Sequence, residues 1–368
     1  MSLSQLPAAK HEAFRDVSVV DLFCGAGGLS HGFRLEGFRV DAGIDVDEAC
    51  QHPFEVNNNA RFVNEDITEL SSDRLGSFFG AGRRRVLVGC APCQPFSSYN
   101  QKNEDPKWKL VQKFADLVME VKPDVVSMEN VPRLMKFQGG SVFVDFVRRL
   151  RKEYWVDFRV VFAPDYGVPQ RRSRLVVLAS RLGPISLIPP THLPQDYRTV
   201  RDAIGQLPAI DAGGVSAVDP LHRASKLSAK NLLRIKASKP GGSWRDWDSE
   251  LVAACHKAET GSSYGAVYGR MVLDEPAPTI TTQYFGFGNG RFGHPNQDRG
   301  LSLREGAILQ SFPPDYEFCA PGQTVEFKKL GRMIGNAVPV LLGRAIAKSI
   351  ASHLDEVDGK SASDAAMH

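Results

Sequence analysis

The stretch Gly89-Cys90-Ala91-Pro92-Cys93-Gln94-Pro95-Phe96-Ser97-Ser98 sets thiols among residues that restrict the backbone. It follows Arg85-Val86-Leu87-Val88, a short apolar run that reads as a buried strand. α/β sheets carry their reactive groups just past the ends of such strands. Most free cysteines are inert, apolar fillers. Here Pro92 and Pro95 fix the chain on both sides of Cys93, which suits a side chain held at a set angle. Cys93 is therefore the candidate nucleophile.

Several elements must position it. Residues 17–23 read as a strand, Cys24-Gly25-Ala26-Gly27-Gly28 as a glycine turn, and Leu29 to Leu35 as the start of a helix. Strand, glycine turn and helix together let a ligand approach the backbone and the helix N-terminus. A second strand over 38–44 ends at Asp45, where an acid can accept two ribose hydroxyls. A third, around Arg61-Phe62-Val63, leads to Asp66. The turn lacks the G-x-G-x-x-G spacing of a dinucleotide site, which favours an adenosyl ligand without phosphates, such as S-adenosylmethionine.

Beyond Cys93, apolar residues at helical spacing from Leu110 to Val121 predict a core-facing helix. A strand over 124–128 then runs into Glu129-Asn130-Val131-Pro132, so Glu129 is a carboxylate at a strand end. Another helix (Val142 to Leu150) leads to a strand over 155–162, the turn Asp165 to Pro169, Gln170-Arg171-Arg172-Ser173-Arg174 and a strand over 175–178. The last two strands read as an antiparallel pair closing an otherwise parallel sheet. The fold class expected is α/β, doubly wound and mostly parallel, with a small irregular domain inserted.

The 368 residues suffice for two domains; 42% hydrophobic and 24% charged residues describe an ordinary soluble globular chain. No run approaches the length of a membrane span, and the start lacks a signal-peptide layout. Six scattered cysteines read as reduced thiols of a cytoplasmic protein. From Pro184 the composition changes to Pro- and Gly-punctuated sequence with little periodicity, so 182–300 reads as the inserted domain. Leu221 to Arg245 holds seven Lys or Arg (Arg223, Lys226, Lys230, Arg234, Lys236, Lys239, Arg245) and no acid, which points to a polyanion partner. Aromatics and Arg291 among glycines (283–293) suit nucleic-acid contacts. Regular structure returns at Leu301, with Ser302 and Glu305 spaced as a capping box, and a final helix spans Val340 to Leu354. Residues 355–368 read as a polar, disordered tail, and the catalytic domain as 16–181 with 301–354.

Six stretches in order resemble the C5-cytosine DNA methyltransferase family. They are Asp21 to Gly28, Pro92-Cys93-Gln94, Glu129-Asn130-Val131, Gln170 to Arg174, Arg304-Glu305 with Leu309 to Pro313, and Gly335 to Pro339. The resemblance implies a small target-recognition domain and a C-terminal helix, after Asn336, that returns beside the glycine turn. It implies that Cys93 attacks cytosine C6, that Glu129 bonds N3 and the exocyclic amine, and that Arg174 reaches O2 with Arg172 in support. Phe23, Cys24, Gly25, Gly27, Gly28, Asp45, Val46, Asp66, Ile67, Pro92, Asn336 and Val338 would line the S-adenosylmethionine site. Gln94, Ser97 and the basic residues above would face double-stranded DNA, and no metal is implied. Many members carry Glu at Asp45 and a bulky adenine-stacking residue at Val46. A monomer acting at the nucleoid, with a cognate restriction endonuclease, fits the bacterial type.

Three other readings compete. Cys90-Ala91-Pro92-Cys93 is a C-x-x-C, as in thiol redox proteins, but that leaves Glu129, Arg174 and the glycine turn without a role. Replacing Cys90 would kill a redox enzyme and leave a methyltransferase most of its activity. Transfer-RNA methyltransferases of the same superfamily share the Cys93 and Glu129 motifs but typically show a Cys-Phe-Thr tripeptide, absent here. A catalytically dead DNA-binding homologue would lack a catalytic group, and all are present.

Overall fold

The computed structural model describes residues 14–92, 106–257 and 265–365. They fall into two compact units: Met1–Phe162 with Ser173–Pro190 and Val338–His368, and Ala163–Arg172 with Thr191–Ala337.

In chain order the first unit runs β1 (Phe14–Leu22), α1 (Gly28–Leu35), β2 (Phe38–Asp45), α2 (Gln51–Asn58), β3 (Arg61–Asn64), α3 (Ser72–Gly76), β4 (Arg84–Gly89), α4 (Lys109–Val121), β5 (Val125–Asn130), α5 (Ser141–Leu150) and β6 (Trp155–Phe162). The two-residue β7 (Gln170–Arg171) belongs to the second unit, and β8 (Ser173–Ser180) returns to the first. The sheet order is β3-β2-β1-β4-β5-β8-β6. Its strands pair in parallel except around β8, which is antiparallel to both β5 and β6. The sheet is doubly wound and mostly parallel, closed at one edge by the antiparallel pair. Strand order reverses between β1 and β4, and the crevice beyond their carboxyl ends is where such sheets place ligands.

Side-chain alternation separates the two faces. Val20 and Leu22 of β1, Val126 and Met128 of β5, and Leu175, Val177 and Ala179 of β8 share one core with Leu75 of α3, Phe114 and Val118 of α4, and Phe143, Phe146 and Leu150 of α5. By the same alternation Asp21, Glu129 after Met128, and Arg174 before Leu175 belong to the opposite face. The final helix, α11 (Val340–Ala365), packs on α1, and Arg344 Nε pairs with Glu36 Oε1 at 2.6 Å. This is the return of the C-terminal helix beside the glycine turn.

The helix continues past Leu354 as far as Ala365, where a disordered tail had been expected. Nothing in 355–365 breaks a helix strongly, and Asp358 pairs with Arg84 while His353 Nε2 lies 2.7 Å from the Ser180 hydroxyl. The segment Phe327–Lys360 is apolar enough by composition to cross a membrane, but it is mostly buried, as a core helix is.

The second unit contains β7, α6 (Val200–Ile204), α7 (Ala229–Ala237), α8 (Ala254–Lys257), β9 (Ala277–Pro278), α9 (Leu303–Leu309) and α10 (Phe327–Asn336). Its own core gathers Ile235, Trp244, Trp247 and Phe287. Ser302 caps α9 and Glu305 closes the capping box, as the spacing predicts. By packing, this unit takes in 163–172 and runs on to Ala337, past 300, while 182–190 pack with the first unit. The Gln170 amide donates to Leu309 O at 2.9 Å and its oxygen accepts from Ile280 N at 3.0 Å. Gln310 donates to Ile334 O at 2.8 Å. These long-range bonds join β7, α9 and α10, and composition carries no sign of them.

Candidate active site

The chain leaves β1 at Phe23, whose φ of 61° is rare for a residue with a side chain, and turns through Gly25 and Gly27, also at positive φ. Cys24 N donates to Ile44 O at 3.2 Å, drawing the turn against the end of β2. There Asp45 accepts from Gly25 N through Oδ2 and from Asp47 N through Oδ1, each at 2.9 Å. Burial pushes the Asp45 carboxyl above its usual range, against the backbone amides of Asp47 and Gly25 that favour its charge. Each oxygen keeps acceptor capacity for a hydroxyl.

Val46 beside it is 69% exposed, an apolar side chain presented at the surface. Asp66 accepts from Thr68 N at 2.9 Å, and Ile67 is buried. Cys24 is buried as well, and that burial raises its thiol pKa, so it is an inert wall. Under the turn, Asp21 Oδ2 accepts from the Ser30 hydroxyl at 2.7 Å, while Oδ1 has no hydrogen-bond partner among the described residues. Burial pushes Asp21 up to about 7.

The other group of residues sits at the ends of β4, β5 and β8. Glu129 is opposite Val176 in the β5–β8 register, so Arg174, two residues from Val176, is its diagonal neighbour on the same face. Arg174 Nε lies 2.8 Å from Glu129 Oε1 as a buried ion pair. The contact is off-axis: among the described residues Oε1 accepts no aligned hydrogen bond. Glu129 Oε2 is 2.9 Å from Cys90 Sγ. The next residue, Asn130, donates from Nδ2 to Ala91 O at 3.0 Å and fixes the backbone just before Pro92. Gly89 is required beneath it: a Cβ there would lie 2.7 Å from Leu22 O.

Cys93, Gln94 and Ser97 lie outside the described residues. Arg172 belongs to the second unit, where it donates to Ile280 O at 2.9 Å. Asn336 is exposed at the end of α10, and Val338 is buried in the first unit.

Among the basic residues, Lys226, Lys230, Lys236, Lys239 and Arg245 are exposed, and Arg223 is half-buried. Arg234 is not a surface residue. It is buried, donates to Leu251 O at 2.8 Å and sits over the rings of Trp247 and Tyr268. A guanidinium can satisfy carbonyls and stack on aromatics inside a small core, which charge counting cannot detect. Arg291 is half-buried and bonds to Gly241 O. The contacts of Cys90 and Asn130 with the site also went unread: motif spacing named Asn130 without a task and treated Cys90 as dispensable.

Sheet order and strand-end acids define a class, the doubly wound α/β proteins that bind ligands at the carboxyl ends of their strands. Residues 17–352 match the model of the C-5 cytosine-specific DNA methylase family. The chain is 53% identical over 340 residues to the type II methylase M.HgiDII of Herpetosiphon aurantiacus, covering 92% of this chain and 96% of that protein. It is 32% identical to the type II methyltransferase M1.HphI of Haemophilus parahaemolyticus, covering 91% and 86%. The solved structure of the Entamoeba histolytica methyltransferase EhMeth shares the fold, with a TM-score of 0.61, 16% identity and coverage of 92% and 99%. The chain belongs to the C-5 cytosine-specific DNA methylase family. It is a DNA (cytosine-5-)-methyltransferase, and DNA is its substrate.

Proposed function

We propose that Cys93 is the nucleophile, acting on a cytosine flipped out of duplex DNA, and that S-adenosylmethionine is the methyl donor. The observation that carries this reading is the buried Glu129–Arg174 pair at 2.8 Å, in which one Glu129 oxygen takes no aligned hydrogen bond from the described residues. Cytosine C5 is a poor nucleophile until the ring is activated. The Cys93 thiolate adds to C6, forming an S–C6 bond and moving the electron pair toward C5. The Glu129 carboxyl supports positive charge at N3, and Arg174 counters charge developing at O2. After C5 gains its methyl group, the C5 proton leaves, the S–C6 bond breaks and the ring double bond returns.

S-adenosylmethionine would supply a methyl group activated on a sulfonium, whose sulfur would leave as a neutral thioether. Asp45, held by two amides with acceptor capacity to spare, fits its ribose hydroxyls, and exposed Val46 offers the adenine an apolar face. Phe23, Cys24, Gly25, Gly27, Gly28, Asp66, Ile67 and Pro92, with Asn336 and Val338, are assigned to the same site by family position.

Extruding the base costs about a few kcal/mol. Phosphate contacts from exposed Lys226, Lys230, Lys236, Lys239 and Arg245 offset part of it. Target choice is assigned to 182–300, and catalysis to 16–181 with 301–354. The enzyme acts as a monomer on the cytoplasmic nucleoid, and its type II relatives suit pairing with a restriction endonuclease.

Bisulfite sequencing of DNA from cells expressing the protein tests the reading. One cytosine in a fixed sequence context should resist conversion, and Glu129→Gln should restore conversion. Complete conversion with the folded protein present would return the chain to a non-catalytic DNA binder.

A further inference from the structure

We propose that Cys90 is a positioning residue for Glu129, an inference that rests on the reading of Glu129 above. β4 and β5 are parallel, with Gly89 opposite Met128, so Cys90 and Glu129 are the next pair along the register. Alternation puts both on the face away from the core that holds Leu87 and Met128. Cys90 N donates to Leu22 O at 3.3 Å, and Asn130 holds Ala91 O, so the backbone carrying the thiol is tied on both sides.

The two Glu129 oxygens meet different partners. Arg174 supplies charge to Oε1 without an aligned hydrogen bond. The Cys90 thiol donates to Oε2 and sets the rotation of the carboxyl plane. A free glutamate side chain has several rotamers, and each turn of its carboxyl moves the atoms that must meet the cytosine edge. A thiol is a weak, neutral donor. It orients the carboxylate without placing a second full charge beside it. The role assigned to Cys90 is to orient Glu129, with no part in the bonds that form and break.

The test is single-turnover methyl transfer on a cognate duplex by Cys90→Ala and Cys90→Ser, each alone and combined with Glu129→Gln. Cys90→Ala should lower the rate of methyl transfer about tenfold, roughly 1.4 kcal/mol in barrier height, at unchanged KM for DNA and S-adenosylmethionine. Cys90→Ser keeps an O–H donor and should recover most of that loss. In the Glu129→Gln background, Cys90→Ala should cost little more, because the two act as one unit. A Cys90→Ala enzyme within about twofold of the parent, beside a crippled Glu129→Gln, overturns the inference alone. So does a serine variant as slow as the alanine one, or a loss that repeats in full without Glu129. Glu129→Gln turning over at the parental rate would sink the reading of Glu129 itself, and this inference with it.

Discussion

Side chains reach their places by one route in the first unit and by another in the second. In the first, the period of the strand does the work: Glu129 and Arg174 meet because alternation and an antiparallel register leave them diagonal neighbours on one face. In the second, buried arginines take the place of a sheet. Arg270 donates to Ile235 O, His294 O and Gln297 O at 2.8–3.1 Å. Arg299 grips Glu305 through two bonds of 2.7 Å, and Arg304 reaches Tyr316 O at 2.9 Å. An arginine there ties together carbonyls from separate loops and helix ends, at Ile235, His294, Gln297 and Tyr316. A positive charge in that unit is therefore no sign of a DNA contact until its exposure is known.

The largest expected effect tests this contrast in the second unit. Arg299→Ala leaves Glu305 charged and fully buried, and should cost about 3–5 kcal/mol of stability. Denaturant unfolding measures it, and a loss below about 1 kcal/mol would mean the pair is not what holds the segment.

In the first unit, Glu129→Gln should lower turnover by roughly 10²-fold or more while S-adenosylmethionine still binds. Calorimetric titration beside the rate assay separates the two. Equal loss of cofactor binding would make Glu129 a structural residue.

The units should also differ in the sign of their response to pH. Asp21, pushed by burial from 3.8 to about 7, keeps its proton in the fold. Its contribution is complete below about 3.8 and is lost as pH rises toward 7. His294, pushed by burial from 6.5 to about 4, stays neutral in the fold. Its contribution is complete above 6.5 and is lost as pH falls toward 4. Each slope is at most about 1.4 kcal/mol per pH unit. Thermal unfolding from pH 4 to 7 should show Asp21→Asn removing the first dependence and His294→Gln the second. Matching slopes in parent and variant would place the titration elsewhere.

These differences decide what could be read before the fold was known. Strands, helices and the antiparallel closure follow from periods of 2 and 3.6, and residues 155–162 and Ser302-Glu305 fell where the pattern put them. Motif order carried Glu129, Arg174 and Asp45. The inward turn of Arg234, the Gln170 and Gln310 ties and the Cys90–Glu129 contact stayed hidden. Each depends on residues brought together from distant parts of the chain, which no local period encodes.

The smallest effect concerns the lysines that did remain outside. Reversing the charge of Lys230 and Lys236 should weaken binding to all DNA sequences alike and reduce the salt slope by about 2. Fold stability should change little, since both are exposed. An unchanged slope would make them part of a solvated face, and the comparison would then hold for every basic residue of that run.

The nucleophile is tested most directly with a duplex target carrying 5-fluorocytosine. Fluorine at C5 cannot leave as a proton does, so addition and methyl transfer proceed and release stalls. With S-adenosylmethionine present, the enzyme should form a protein–DNA adduct that survives denaturation, carries the methyl group and maps by peptide mass to Cys93. Cys93→Ala should abolish it and leave non-specific DNA binding intact, because phosphate contacts do not use the thiol. No adduct on the correct target, or an adduct mapped to Cys90, would contradict the assignment of Cys93.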